Sequence, residues 1–200
     1  ASLSSSYRIG ETETDYYLWD VVYDWATAHG YTFQNEGEAG ASMYGTSPEH
    51  PVTVISWRDA VVWCNAITEY HNIQLGTSLG FVYQDGGEPL RSSLDADGSR
   101  VDGVTPDYGA SGYRLPTPEE WELAARFIED HNSDGDILDA GEYYPGNYAS
   151  GADNRYDQGS ASSDIDGDGD SDTTPDVAWY NGNGAYGTKA VGSLHSNALG

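Results

Sequence analysis

The chain has 200 residues, of which 33 are Asp or Glu and only eight are Lys or Arg, so its formal net charge at pH 7 is −25. This charge disfavours nucleic acid and anionic membrane surfaces as partners, because both are bound through Lys and Arg. No apolar run reaches the roughly 20 residues that span a bilayer, so the sequence predicts no membrane span. The contents of 38% apolar and 12% aromatic residues are high enough for a sizeable globular core.

The first helix is predicted over residues 14–29, "TDYYLWDVVYDWATAH", because apolar residues recur there at helical spacing. Gly30 follows as the terminating residue, since glycine readily adopts the left-handed conformation that ends helices. The face predicted to point inward consists of Leu18, Val22 and Trp25.

The second helix follows "HPVTVISW", where Ser56 is the predicted N-cap and Asp59, three residues later, completes a capping box. The predicted buried stripe consists of Ala60, Trp63, Cys64 and Ile67. Cys64 is the only cysteine, and we interpret it as a small buried hydrophobic residue because no neighbour in the sequence would stabilise a thiolate.

The third predicted helix lies in "RLPTPEEWELAARF". Thr117 is the predicted N-cap, Pro118 the first helical residue and Glu120 the partner in a second capping box. The residues predicted to face inward are Trp121, Ala124 and Phe127.

Long segments rich in Gly, Asp, Ser and Tyr occupy residues 73–112 and 129–200. Their strand candidates are all short, such as "FVY" and "VAWY", and "DADGSRVD" from Asp95 is interpreted as a solvated loop. The prediction is therefore an α+β domain with three helices, short twisted sheets and long loops. A domain with this much irregular chain needs cross-links between its segments, and bound metal ions provide such cross-links.

Four segments in order, "YRIGETETDYYLW", "HPVTVISWRDAVVWCNA", "GYRLPTPEEWELAAR" and "SNALG", resemble the formylglycine-generating enzyme (sulfatase-modifying factor) family of bacterial proteins. The resemblance covers nearly the whole chain. It implies a variant of the C-type lectin fold, with little regular structure and bound calcium. We expect residues 1–200 to form a single domain of this kind that is incomplete at its C-terminal side.

The resemblance also bears on catalysis. True formylglycine generators carry a copper-binding cysteine pair in the C-terminal half, and iron-dependent relatives use a histidine cluster. This sequence has one cysteine, and its histidines lack ligand spacing: His29, His50, His71, His131 and His195. His50 is interpreted as a turn residue before Pro51. The 200 residues are therefore expected to lack the redox centre of the family.

The segment "DHNSDGDILDAGE", residues 130–142, sets Asp130, Asn132 and Asp134 at alternate positions before Gly135. Alternating oxygen ligands followed by a glycine turn are typical of a calcium loop. A standard loop closes with Glu at position 12, whereas Glu142 falls at position 13. The alternative is a plain acidic turn.

The segment "DIDGDGDSD", residues 164–172, fits the same alternating pattern with Gly169 as the turn. It lies in an insertion at about residues 157–175 of the acidic region 129–176. The resemblance implies an inherited calcium site next to this insertion, for which Asn154 is the matching candidate, with Asp176 or Asp157 as a carboxylate partner. The alternative for the insertion is a disordered acidic loop.

Calcium is the predicted cofactor. The predicted ligands are Asp130, Asn132, Asp134, Asp136, Asp139, Glu142, Asn154, Asp164, Asp166, Asp168, Asp170, Asp172 and Asp176. Residues 129–176 hold 14 of the 33 acidic residues and one Arg, Arg155, so their mutual repulsion also favours bound cations.

The leading hypothesis is a non-catalytic, calcium-stabilised domain that serves binding or structural assembly outside the cell or at its surface. Calcium is abundant there, and "ASLSSSYRIG" is consistent with a mature N-terminus. One alternative is the N-terminal fragment of a formylglycine-generating or related metal-dependent oxidase. Another is a filament or surface-layer subunit, in which homo-oligomers or fibres form because neighbours complete uncovered strand edges near Trp57, Trp121 and Trp179.

We expect calcium removal to destabilise the protein. An ion that binds only the folded state stabilises it by about 2.7 kcal/mol at a hundredfold excess over its Kd. Chelator should therefore lower the melting temperature by several degrees, and calcium should restore it better than magnesium, which tolerates flexible carboxylate cages badly. Melting curves that coincide with and without chelator would refute the calcium hypothesis.

Overall fold

A computed structural model describes residues 6–42, 45–127, 133 and 187–194. Its helices are α1 (Tyr16–Ala28), α2 (Trp57–Leu75), α3 (Gly98–Asp102), α4 (Pro118–Arg126) and a 3₁₀ turn (Asp95–Asp97). Its strands are β1 (Glu38–Ala39), β2 (Ala41–Ser42), β3 (Gly45–Thr46), β4 (Val52–Thr53), β5 (Gln84–Asp85) and β6 (Glu88–Pro89). They form the two-stranded sheets β1–β4, β2–β3 and β5–β6. The predicted α+β class is confirmed.

The chain divides into two compact units. The core unit comprises residues 14–40 and 46–115, and the second unit comprises residues 1–13, 41–45 and 116–200. Helices α1, α2 and α3 belong to the core unit, whereas α4 belongs to the second. None of the helices in the described part of the chain is long and apolar enough to cross a membrane.

Helix α1 lies within the predicted range of residues 14–29, and its N-cap is Asp15, for which no prediction was made. The side chain of Asp15 accepts a hydrogen bond from the Leu18 amide at 2.7 Å, and Gly30 follows the helix with a φ of +87°. The predicted inward face is wrong in part, because the buried residues are Trp19, Val22 and Ala26 while Leu18 is 41% exposed. The helix is rotated so that the large Trp19 ring, rather than Leu18, enters the core.

Helix α2 is the central element of the core unit. The predicted capping box is confirmed, since Ser56 and Asp59 bond each other's backbone amides, and Gly76 ends the helix. Residues 61–68 are all buried, which is broader than the predicted stripe, and Ala60 is only half-buried. On one side the Trp63 ring stacks on Trp19 with centroids 5.2 Å apart and planes 6° apart. The helix is buried on more than one face because two hydrophobic clusters pack against it.

The first cluster lies between α1 and α2 and contains Trp19, Val22, Ala26, Tyr31, Val62, Trp63, Ala66 and Ile67. The second contains Val61, Cys64, Val82, Tyr83, Leu90 and Val101. Asn65 is fully buried beside it, and its amide nitrogen donates to the carbonyls of Tyr83 at 2.7 Å and Leu90 at 3.0 Å. This one side chain joins α2 to both arms of the β5–β6 hairpin.

The segment "DADGSRVD" is not the predicted solvated loop. It forms the 3₁₀ turn and α3, and Val101 on α3 is fully buried in the second cluster. The guanidinium of Arg58 on α2 holds this segment by hydrogen bonds to Asp102 at 2.6 and 2.7 Å and to Asp95 at 3.0 Å. Two of its three acidic residues, Asp95 and Asp102, are therefore partners of one arginine, and the third, Asp97, accepts from the Ser92 hydroxyl at 2.6 Å.

Helix α4 has the predicted start. Thr117 caps it, Pro118 is its first residue, and Glu120 closes the capping box. Ala124 and Phe127 are buried as predicted, but the prediction for Trp121 is wrong because this residue is 61% exposed, and Leu123 is buried instead. Within the same unit, the Tyr7 hydroxyl donates to the Glu120 carbonyl at 2.7 Å.

Each strand in the described part of the chain has only two residues. The run "FVY" is not itself a strand but precedes β5, with Val82 and Tyr83 buried, and "VAWY" lies outside the described residues.

Strands β1 and β4 pair antiparallel, Glu38 with Thr53 and Ala39 with Val52. Gly37, just before β1, has a φ of +84°.

We expect Gly37→Ala to destabilise the protein by roughly 2 to 5 kcal/mol, because the left-handed conformation and overpacking both penalise a side chain. A Cβ there would lie 2.7 Å from Trp19 Nε1 and 2.9 Å from Val52 Cγ2. Gly30→Ala is the matched control, since Gly30 has a φ of +87° but a Cβ at this position would have no other atom within 4 Å. Denaturant unfolding should give the control a loss of only about 1 to 2 kcal/mol, and equal losses would contradict the packing argument.

Candidate functional site

The predicted calcium ligands, from Asp130 to Asp176, all lie outside the described residues. Their assignment to calcium stays a prediction. Within the described part of the chain, no three His, Cys, Asp or Glu side chains lie close enough together to hold a metal ion.

Cys64 occupies the middle of α2 and is 6% exposed. Burial raises the pKa of its thiol to about 12. The predicted role as a buried hydrophobic residue agrees with this position, since a thiol with that pKa stays protonated at neutral pH and is a poor nucleophile and metal ligand.

The described histidines have separate local environments. His50 lies in a turn, as predicted, where its amide donates to Ser47 at 3.1 Å and its carbonyl accepts from the Tyr16 amide at 2.9 Å. His71 Nδ1 lies 2.7 Å from the Tyr113 hydroxyl. The His29 ring stacks on Trp25 at the end of α1, with centroids 4.1 Å apart.

The most highly connected polar group of the core unit is the buried carboxylate of Asp59. It accepts hydrogen bonds from the Gln34 amide at 3.0 Å, from the Asn35 side chain at 2.8 Å and from the Ser93 hydroxyl at 2.5 Å. It also accepts from the amide and hydroxyl of Ser56 at 2.8 and 2.7 Å. One carboxylate therefore joins the start of α2 to two separate loops.

Two opposing effects set the pKa of Asp59. Burial raises it, whereas hydrogen bonds from Asn35, Ser93 and Ser56 lower it by more, so that the net direction is downward. The carboxylate is thus ionised in the folded protein at neutral pH, and each of its oxygens is occupied as an acceptor. We assign it a structural role. The sequence pattern revealed the capping box with Ser56. It did not reveal the hydrogen bonds from residues 34–35 and 93 to Asp59, because these residues are distant from it in sequence.

The core unit has four basic residues, all Arg, against 14 acidic residues in the same ranges, 14–40 and 46–115. Each arginine contacts a side chain of the same unit. The pairs are Arg58 with Asp95 and Asp102, Arg91 with Glu69, Arg100 with Asp85, and Arg114 with the ring of Tyr108. The cations of this unit therefore act as ties between its own segments.

Arg91 belongs to the most buried of these ties. Its guanidinium lies 4.5 Å from the centroid of the Tyr31 ring and 2.7 Å from Glu69, which also accepts a hydrogen bond from the Tyr31 hydroxyl at 2.7 Å. Burial, followed by the bond to Glu69, raises the pKa of Tyr31. The phenol remains a hydrogen-bond donor at all physiological pH values.

Several large apolar side chains are solvent-exposed. Trp57 is 51% exposed at the start of α2, and Trp121 is 61% exposed beside a shallow depression of about 630 Å³ that Pro116 and Pro118 also line. Trp179, the third tryptophan named near the predicted uncovered strand edges, lies outside the described residues. The completion of strand edges by neighbouring chains stays a prediction.

Capped helices, two-stranded sheets and long irregular connections define an irregular α+β fold. Residues 5–200 match the family described as "Sulfatase-modifying factor enzyme 1-like domain". The chain belongs to this family, which confirms the resemblance found in its motifs.

Individual relatives match smaller parts of the chain than the family does. The chain is 33% identical over 82 residues to "Chaperone protein LppX" of Paenibacillus barcinonensis, a match that covers 38% of this chain and 26% of that protein. The crystal structure of CarF has 34% identity and a TM-score of 0.47, and the match covers 58% of this chain and 42% of CarF. Treponema denticola variable protein 1 has 29% identity and a TM-score of 0.38, with coverages of 58% and 41%. The chain thus matches less than half the length of each of these relatives.

We expect Asp59→Asn to lower the free energy of unfolding at pH 7 by about 3 kcal/mol or more, because it removes charged hydrogen bonds and turns an amide NH₂ toward existing donors. The lowered folded-state pKa of Asp59 means that its contribution is complete above the unfolded pKa of about 3.9 and is lost as pH falls through the folded value. Urea unfolding of both proteins from pH 7 to pH 2 should show their difference shrinking below about pH 4.

The matched control is Asp107→Asn, since Asp107 is exposed and its carboxylate accepts from the nearby Gly109 amide at 2.9 Å. This variant should change stability by about 0.5 kcal/mol or less. A difference between wild type and Asp59→Asn that stays constant from pH 7 to pH 2 would contradict the assigned ionisation.

Proposed function

We propose that this chain is a non-catalytic, calcium-stabilised domain of its family that serves binding or structural assembly outside the cell. The observation that carries the proposal is the position of Cys64. Formylglycine generation in this family depends on reactive cysteines, and the only cysteine of the chain is buried in a hydrophobic cluster with a pKa of about 12.

The charge distribution supports the calcium part of the proposal. Residues 129–176 contain 14 acidic residues and one Arg, so the formal net charge of this segment is −13. The four arginines of the core unit already contact partners within that unit. The other basic residues outside this segment are Arg8, Arg126 and Lys189, which are too few to balance its carboxylates. Dissolved cations would supply the rest of the neutralisation, and alternating Asp and Asn with glycine turns favour calcium among them. Such sites are filled where calcium is plentiful, which is why we propose an extracellular location.

The second candidate is the N-terminal part of a metal-dependent oxidase. Membership of the Sulfatase-modifying factor enzyme 1-like domain family favours it, and the curated relative is longer, since the match covers 26% of it. In that case, further residues of a longer polypeptide would supply the reactive groups, and Cys64 would keep its packing role.

The catalytic question can be tested with the 200-residue chain. Incubated with a cysteine-containing sulfatase-type peptide, copper, calcium and oxygen, the chain should leave the mass of the peptide unchanged, because a protonated buried thiol cannot take part in the reaction. Mass spectrometry of the peptide is the measurement, with Cys64→Ser run in parallel.

Conversion of the peptide cysteine to an aldehyde would contradict the proposal. If Cys64→Ser abolished that conversion, Cys64 would be a reactive residue. If the conversion survived in Cys64→Ser, another group of the chain would be responsible. A melting curve of Cys64→Ser confirms that the control is folded.

A further inference from the structure

Residues 94–103 pack against the second hydrophobic cluster while burying few of their own side chains. They contain the 3₁₀ turn and α3, and we call them the strap. Only Gly98 and Val101 of the strap are buried, and Val101 is its one member of the cluster. Helix α2, by contrast, is buried continuously over residues 61–68. The strap therefore has much less apolar burial than the helix against which it packs.

The backbone of the strap bonds little to other segments. The Asp97 amide donates to the Leu94 carbonyl at 2.8 Å, within the strap, and the Asp95 amide donates to the side chain of Gln34 at 3.3 Å. Among the described residues, no backbone-to-backbone hydrogen bond joins the strap to a segment distant in sequence. Displacement of the strap would therefore break few backbone hydrogen bonds.

Ion pairs between side chains hold the strap in place. The Arg58 guanidinium on α2 bonds Asp102 at 2.6 and 2.7 Å and Asp95 at 3.0 Å, and Arg100 of the strap bonds Asp85 at 2.6 Å. The carboxylates that Arg58 bonds are solvent-exposed, since the side chain of Asp95 is 86% exposed and that of Asp102 is 52% exposed. Exposed ion pairs stabilise weakly when taken singly. Arg58 is the main tie because it bonds the strap at two carboxylates.

The chain on either side of the strap is fixed to the core unit. Before the strap, the Ser93 hydroxyl donates to Asp59 at 2.5 Å and the Ser93 amide donates to the Thr32 carbonyl at 3.1 Å. After it, the Asp107 amide donates to the Val82 carbonyl at 2.9 Å. A weakly held segment between two fixed points can move away without unfolding its neighbours.

The strap packs on the side of α2 that contains the only cysteine. Val61 lies about one turn beyond Arg58 on α2, and Cys64 lies about one turn beyond Val61. Val61, Cys64 and Val101 belong to the same cluster, and Cys64 is 6% exposed. Withdrawal of Val101 would uncover this side of α2, so Cys64 can report on the position of the strap.

We propose that the strap opens as a unit while the rest of the core unit stays folded, that Arg58 holds it closed, and that opening makes Cys64 accessible to solvent. Segments with few buried apolar contacts open at a lower free energy than the whole domain. The strap is thus a conformational device built into the core unit. It goes beyond the function proposed above and requires neither calcium nor a binding partner.

The first measurement is the rate at which the folded 200-residue chain reacts with dithiodipyridine, an uncharged disulfide. The Cys64 thiolate attacks one sulfur, a mixed disulfide forms, and the released thiopyridone is followed by its absorbance. Strap opening exposes little surface, so the rate should be nearly constant at urea concentrations below the unfolding transition. We call this constant value the plateau rate. Labelling that requires global unfolding would instead accelerate from the lowest urea concentration, with the slope of equilibrium unfolding.

Arg58→Met should raise the plateau rate roughly three- to tenfold, because it removes both ion pairs to the strap. The matched control is Arg91→Met, which removes the same charge from a side chain of similar exposure, 35% against 29% for Arg58. Arg91 contacts Tyr31 and Glu69 rather than the strap. The control should keep the plateau rate of wild type even where its global stability falls.

Val101→Ala tests the apolar part of the closed state. It should raise the plateau rate about tenfold or more, because Val101 is the one strap side chain in the cluster. The control is Val22→Ala, since Val22 is also fully buried but belongs to the first cluster. Val22→Ala should lower global stability and leave the plateau rate unchanged. Urea unfolding curves verify that all four variants are folded.

Hydrogen exchange followed by mass spectrometry tests the strap without using Cys64. The Gly103 amide, bonded to the Ser99 carbonyl at 3.2 Å, should exchange faster than amides in the middle of α2. Arg58→Met should accelerate exchange in the strap by the same factor as labelling and leave the middle of α2 unchanged.

A labelling rate with the full urea slope of global unfolding would overturn the proposal. Equal plateau rates in Arg58→Met and Arg91→Met would also overturn it, and so would rapid exchange of the strap while Cys64 stays unlabelled. None of these results depends on the aldehyde assay or on melting in chelator, so the function proposed above and the strap can fail separately.

Discussion

The carboxylate of Asp59 is the constraint on which the core unit depends. It caps α2 through Ser56 and at the same time fixes the loop at residues 34–35 and the hydroxyl of Ser93. Short strands and irregular loops have few backbone hydrogen bonds of their own, so a buried anion with several donors replaces the ladder that a larger sheet would provide. Asn65 does the same for the β5–β6 hairpin.

In a strongly acidic chain with few Lys and Arg residues, the positions of these cationic side chains matter for the fold. In the core unit each arginine holds two segments together, most clearly where Arg58 on α2 bonds Asp95 and Asp102 around α3. Exposed ion pairs of this kind add little stability singly. Their value here is positional, because they hold loops whose remaining acidic residues repel one another. The acidic region at residues 129–176 has only Arg155 for the same purpose, which is the physical basis for proposing calcium there.

The family and the proposed role are compatible because a fold does not dictate an activity. Cys64 keeps a place in the hydrophobic cluster of α2, where its thiol contributes packing. A binding role is compatible with this position, because it requires Cys64 only as part of the scaffold.

The sequence by itself determined where α2 and α4 begin and where α1 ends, because caps act over three or four residues. Ser56 with Asp59, Thr117 with Glu120, and Gly30 are local signals of this kind. The family was likewise readable from short motifs. The candidate calcium loops were also identified from local spacing. The geometry of a calcium site, however, depends on the spatial arrangement of carboxylates that are distant in sequence.

Only the tertiary structure decided which helix faces are buried. Leu18 and Trp121 are as apolar as Trp19 and Leu123, yet the first pair is exposed and the second pair buried. Periodicity identifies apolar positions but does not choose among them when a helix is apolar on several sides. That choice depends on partners far away in the chain, such as Trp63 for Trp19 and Arg58 for the segment around α3, because packing and ion pairing are non-local interactions.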